Sequence, residues 1–188
     1  MAHKRLEFSM PASEAVVFDA FHYHFWRMQW DSLVSASHVL GGAPCPSVGA
    51  ITENAGAGAL RGLLMRTQFV SYDRPRVAAA TMLGKSFPFT RWAASMRHRA
   101  AGPNESVLVY VYSFDVGPSW LAWLLEPIVN AAFSWQTRKR FGRLRQFLLT
   151  HAAQVEAWQR DQRAIEVANM ESVKLADTVS ADDNARLL

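Results

Sequence analysis

Residues 106–148 read SVLVYVYSFDVGPSWLAWLLEPIVNAAFSWQTRKRFGRLRQFL. The first part alternates. Leu108, Tyr110, Tyr112 and Phe114 fall on one side, and Val107, Val109, Val111 and Ser113 on the other. That period of two, rich in Val and Tyr, is a β-strand. Gly117-Pro118-Ser119 then breaks the pattern. From Trp120 to His151 apolar residues recur three or four apart: Leu124, Ile128 and Ala131, then Phe141, Leu144 and Leu148. That spacing is a helix. Pro127 removes a backbone donor and crowds the turn before it, so a kink is expected there.

The same logic runs backward along the chain. Lys4–Met10 alternates, with Leu6, Phe8 and Met10 on one face, and Pro11 stops it. Ser13 is placed to cap a short helix, and a second helical piece is expected through Trp26–Leu33. Strand candidates follow at Ser37–Leu40, Ser47–Asn54, Arg61–Tyr72, Val77–Leu83 and Phe87–Arg99. They are separated by turn signals at Gly41-Gly42, Gly56–Gly58, Asp73-Arg74-Pro75, Gly84-Lys85 and Gly102-Pro103-Asn104. Consecutive strands joined by short turns form an antiparallel meander. Helices gathered on one face of such a sheet make an α+β fold.

Composition agrees. The 188 residues suit one domain with a tail. Half are hydrophobic and 19% are charged, which excludes a disordered chain. Seven Trp, 11 Phe and 4 Tyr require a core or a cavity to absorb them. The single cysteine, Cys45, excludes an intramolecular disulfide; between Pro44 and Pro46 it reads as an inert loop thiol. Residues 1–10 lack the long apolar run of a secretory signal, and Trp120–Trp135 is too short and too broken to span a bilayer. A cytoplasmic protein is the expectation.

The net charge of +4 is uneven. Residues 1–150 hold 16 Lys and Arg against 9 Asp and Glu, whereas residues 151–188 hold 4 against 7. The basic excess peaks at Arg138, Lys139, Arg140, Arg143 and Arg145. The run reads as the solvated face of a helix, where positive charge toward the C-terminus favours the dipole. Binding to an anionic surface is the other reading.

The residues that carry a family resemblance can now be placed. Leu6-Glu-Phe8-Ser-Met10-Pro11-Ala-Ser13-Glu-Ala-Val-Val17-Phe18 is similar to an opening strand, its proline stop and a first helix. Trp30-Asp31 follows the short helices. Val48-Gly49 enters the third strand, and Tyr72-Asp-Arg-Pro75-Arg76 marks a later turn. Val107–Phe114 passes through Gly117 into a helix ending Arg140-Phe-Gly-Arg-Leu144-Arg-Gln-Phe147-Leu. In this order they resemble the START/polyketide-cyclase superfamily of helix-grip proteins (SRPBCC). The resemblance spans roughly residues 4–151. It implies a curved antiparallel sheet of about seven strands wrapped around a long C-terminal helix, with two short helices after the first strand. A cavity between sheet and helix comes with it. Residues 1–151 would form that domain, and 152–188 a polar extension, partly helical or disordered. The superfamily spans lipid carriers, polyketide cyclases, hormone receptors and activators of chaperones, so fold alone assigns no function.

The candidate ligand-binding residues are Met65, Phe69, Trp92, Met96, Tyr110, Tyr112, Trp123 and Asn130, with Leu63, Thr90 and His98 on the same strand faces. Periodicity leaves open which face of Ser106–Val116 is inside. The tyrosine face better suits a pocket that is mostly apolar with a few polar handles. Tyr110, Tyr112 and His98 are the acid–base candidates should the protein be an enzyme of the cyclase or dehydratase type. Asn130 would bond either a ligand or the carbonyl freed by Pro127. His22 and His24, two apart, point away from each other on a helix and find no third ligand, so no metal is expected. No cofactor fingerprint is present. Asp31 reads as a turn cap. Trp120, Trp123 and the basic helix end also suit transient membrane contact. No nucleic-acid recognition pattern appears.

The leading expectation is a carrier or binding protein for a lipid-like or polyketide-like molecule. The alternative is a cyclase or dehydratase using the same cavity.

Overall fold

The computed structural model describes the backbone of residues 1–57 and 64–185, with side chains as far as residue 168. Leu63, the first residues of the expected Arg61–Tyr72 strand, and Gly58 and Gly62 lie outside the described residues. The chain divides into two compact units after Ala152.

The first unit opens with strand β1 (Ala2–Met10) and two short helices, α1 (Glu14–His22) and α2 (His24–Trp30). Six strands follow: β2 (Val34–Val39), β3 (Ile51–Gly56), β4 (Leu64–Asp73), β5 (Val77–Leu83), β6 (Phe89–Gly102) and β7 (Glu105–Val116). A single 3-10 turn, Ser119–Leu121, leads into helix α3, assigned from Ala122 to Ala185. The strands form one curved sheet in the order β1-β7-β6-β5-β4-β3-β2, with every neighbouring pair antiparallel. Register shifts in β2, β4 and β6 supply bends, because a bulged strand turns and twists more sharply.

The face of β7 left open by periodicity is settled. Leu108, Tyr110, Tyr112 and Phe114 are buried. They meet the inward face of α3. Tyr110 lies 5.3 Å from Phe141, and Tyr112 and Phe114 lie 4.7 and 5.7 Å from Phe133, ring centre to ring centre. Each such buried side chain contributes about 1.5–3 kcal/mol of transfer free energy. Together they clamp the helix to the sheet.

The short helices close one end. Ser13 caps α1, its Oγ accepting from the Val16 amide at 3.5 Å. Val16, Val17 and Phe18 are fully buried. Asp19 on the same helix is buried too, and it accepts two hydrogen bonds from Arg74 in the β4–β5 turn, the first from Nε at 2.7 Å. This fork-to-carboxylate pairing fixes α1 against the sheet. Trp30 ends α2 and donates its indole N–H to the Ala20 carbonyl at 2.9 Å, locking the two helices together.

Candidate functional site

Between the sheet and α3 lies a cavity of about 430 Å³. Met65, Phe69, Trp92, Met96 and Tyr110 line it from β4, β6 and β7, and Phe21 and Phe133 from α1 and α3. The alternation of the strands explains this wall, since residues two apart share a face. Met65 and Phe69 are four apart on β4, and Trp92 and Met96 four apart on β6.

The polar residues in the wall form two groups. The first joins β2, β3 and β4. Thr52 and Thr67 share a hydrogen bond of 2.8 Å, and Asn54 Oδ1 accepts from the Ser37 hydroxyl at 2.8 Å. Ser37 also lies 3.1 Å from His24 Nδ1. Thr52, Asn54 and Thr67 reach the cavity. The second group is charged. Asp31 Oδ2 accepts from Arg27 Nε at 3.0 Å and from Arg140 Nε at 2.9 Å, while Asp31 Oδ1 accepts from the Leu33 amide at 3.3 Å. Asp31 is almost completely enclosed, and the side chains of Arg27 and Arg140 are only 12% and 19% exposed. Both guanidinium groups sit about 5 Å from the centre of the Phe21 ring, at 5.1 and 5.0 Å. Both arginines line the cavity.

This charge is held in place by electrostatics. Burial opposes ionisation of Asp31, but Arg140 and Arg27 outweigh it and keep the carboxyl below its ordinary range. Burial, with Arg140 beside it, lowers Arg27 to about 10, which leaves it protonated at neutral pH. Burial raises the Tyr110 phenol to about 12, so it remains a hydroxyl. His22 donates through Nδ1 to the Phe18 carbonyl at 2.9 Å, and burial holds it down at about 3. It is therefore a neutral imidazole in the cavity wall.

The sequence-predicted residues separate. Met65, Phe69, Trp92, Met96 and Tyr110 come together around the cavity. Tyr112, Asn130, Trp123 and His98 are not among its lining residues. Tyr112 donates its hydroxyl to Asn130 Oδ1 at 2.8 Å, so that amide pairs with a side chain of β7. Trp123 is 76% exposed. His98 shares the inward parity of Met96, but Phe18 covers that end of the sheet and stands 5.4 Å from the imidazole ring. Two readings need correction. Asp31 is more than a turn cap, because it anchors two arginines. Arg140, read as part of a solvated basic run, faces inward. The signals were present: Arg27 and Asp31 are four apart, and Arg140 lies beside Thr137, Phe141 and Leu144 on the buried stripe of α3.

No protein-family model matches the sequence, and no curated protein does. Solved structures match the fold. A START superfamily protein from Mycobacterium smegmatis superposes with a TM-score of 0.62 at 12% identity, covering 77% of this chain and 98% of its own. Protein XoxI from Bacillus cereus gives 0.61 at 17% identity, covering 80% and 97%. Norcoclaurine synthase from Thalictrum flavum, solved in complex with dopamine and hydroxybenzaldehyde, gives 0.58 at 11% identity, covering 80% and 87%. The chain has the START-like, helix-grip fold. At these identities the likeness establishes architecture, and the function must be argued from the cavity. Among the described residues no helix is long and apolar enough to cross a membrane.

Proposed function

We propose that the helix-grip unit binds a hydrophobic small molecule between β4–β7 and α3, as a carrier or binding protein. The observation that supports this is the cavity itself. Its volume lies within the roughly 300–1,000 Å³ range of small-molecule sites, and its wall is mainly apolar with a few polar groups. The bound molecule would displace water from Phe69, Trp92, Met96 and Phe133, and that burial provides the driving force. The test is native mass spectrometry of the purified protein, followed by titration with the neutral dye N-phenylnaphthylamine. Saturable dye binding weakened by Met96→Asp supports the reading. Absence of saturable binding overturns it.

A second reading, catalysis of the cyclase or dehydratase type, keeps one of its three candidates at the cavity. Tyr110 lines it as a protonated donor and His22 lines it as a neutral imidazole, so the cavity wall holds an acid and an acceptor. Tyr110→Phe should then lower turnover of an accepted substrate by about 10²-fold, the scale of lost acid–base catalysis, while dye binding persists.

Membrane contact belongs to the same proposal. Trp120 in the 3-10 turn and Trp123, Ile128 and Trp135 on α3 are exposed, with Arg138 and Lys139 exposed just beyond. Apolar side chains flanked by positive charge suit an anionic bilayer surface. Sedimentation with phosphatidylserine vesicles, lost on Trp123→Ser with Trp135→Ser, is the check.

A further inference from the structure

Two arginines share one aspartate at the wall of this cavity. Arg27 and Arg140 bring two positive charges and Asp31 one negative, so the cluster carries an excess charge of +1. Among the described residues the cavity lining includes no Asp or Glu to balance it. Charge buried without a counter-charge is costly, because neither bulk water nor a partner stabilises it. The sequence nevertheless places a second arginine here, on a different element from the first.

The cluster cannot neutralise itself by rearrangement. Asp31 Oδ1 is engaged with the Leu33 amide, and Oδ2 already accepts from both arginines. Among the described residues Arg27 bonds only through Nε. A guanidinium carries five N–H donors in a planar fork, so its terminal nitrogens retain donors. The Phe21 ring supports both forks and holds them in orientation. Tyr110 and Thr137 add hydroxyl groups to the same wall.

We infer that the molecule bound in this cavity is an amphiphile bearing one carboxylate, whose acid group pairs with Arg27 and Arg140 while its apolar body lies against Trp92, Met96 and Phe133. The inference rests on the cavity-binding reading above and narrows it to a ligand class. A monoanion matches the excess of one charge; a dianionic phosphate ester would overshoot it. A carboxylate also fits the guanidinium fork in a two-bond arrangement. At guanidinium groups as buried as those of Arg27 and Arg140 that pairing is stronger than at an open surface, since less water screens it.

The experiment compares decanoate with decanol, which differ at the head group alone, as displacers of N-phenylnaphthylamine. Wild-type protein should bind decanoate at least about tenfold more tightly, the scale of one charge-assisted hydrogen bond left unmade by the alcohol. Arg27→Gln removes the excess charge and leaves Asp31 paired with Arg140. In that variant the ratio of decanoate to decanol affinity should fall to within about threefold. Equal binding of the two displacers by wild type overturns the inference alone, and it needs no variant. A preference that survives in folded Arg27→Gln, verified by circular dichroism, overturns it as well. If dye, decanol and decanoate all fail to bind, the cavity-binding reading falls and this inference with it.

Discussion

The Tyr112 hydroxyl donates to Asn130 Oδ1 across 2.8 Å, joining the middle of β7 to the first turns of α3. The bond spans the sheet–helix seam beside the cavity. The two residues join sheet to helix, and neither is among the residues that line the cavity. Tyr112→Phe keeps the ring against Phe133 and Phe114 and removes one hydrogen bond. It should destabilise the protein by about 1 kcal/mol in urea unfolding, the usual net worth of such a bond. Dye affinity should stay within about twofold of wild type, since no wall contact is lost. A large loss of affinity at unchanged stability would instead make Tyr112 a ligand contact.

Asp31 and Arg27 should respond oppositely to neutralisation. Asp31→Asn leaves two buried guanidinium groups facing each other without an anion. Breaking a buried charge cluster in this way costs about 3–5 kcal/mol. Arg27→Gln leaves a balanced pair, and the ligand-free protein should lose at most about 1 kcal/mol or gain stability. Thermal unfolding of both variants in the same buffer decides it. Equal destabilisation by the two would show that the second arginine is a structural partner of Asp31 and carries no excess charge.

The sequence made the frame legible and the charged cluster illegible, for one physical reason. Apolar periodicity reports which face is buried, and it located β1, β7 and the Phe141, Leu144 and Leu148 part of the inward stripe of α3, whereas Leu124, Ile128 and Ala131 from the same reading are exposed. It paired Met65 with Phe69 and Trp92 with Met96 on shared faces, while Tyr110 was chosen for its polar handle; all five line the cavity. Charged residues default to solvent in such a reading. Arg140 was therefore assigned outward although it lies on the stripe with Thr137, Phe141 and Leu144. Arg27 was passed over on a helix of seven residues. Parity alone does not show that the lining stops short of His98, because a strand face continues past the end of a cavity once a helix covers it. Phe18 on α1 does so here. Trp123 follows helical spacing yet points out, since the first turns of α3 present Trp123, Leu124 and Ile128 to the surface.

Acid should unfold this protein partly through its histidines. Burial lowers His22 to about 3, His24 to about 4 and His98 to about 4, each from 6.5. The unfolded chain takes up protons at these sites near pH 6.5, and the folded chain does so only near pH 3–4. Stability from these groups is thus fully present above pH 6.5 and declines as pH falls toward 4. His98 is the clearest test: it is buried against Phe18, and among the described residues neither ring nitrogen has a hydrogen-bond partner. His98→Leu should remove one proton from the pH dependence, worth roughly 3 kcal/mol across that window. The readout is the slope of urea stability against pH between 6.5 and 4. A slope equal to that of wild type would show that His98 is protonated or solvated in the folded state.

The junction between sheet and helix depends on a missing side chain. Gly117 follows β7, and its amide donates to the Pro88 carbonyl at 3.0 Å. A Cβ at this position would stand 2.8 Å from Thr90 Cγ2. Real carbon atoms do not approach so closely, and Thr90 is β-branched, so its methyl group has few other rotamers. Gly117→Ala should therefore destabilise by about 1–3 kcal/mol through overpacking. Backbone conformation is not the obstacle, because Gly117 is absent from the glycines with positive φ. The double variant with Thr90→Ser removes the offending methyl and should recover most of the loss. A double-variant cycle that shows simple additivity would place the cost elsewhere in the junction. Strong coupling, with the double variant near wild type, would establish that glycine is required there for close approach to β6.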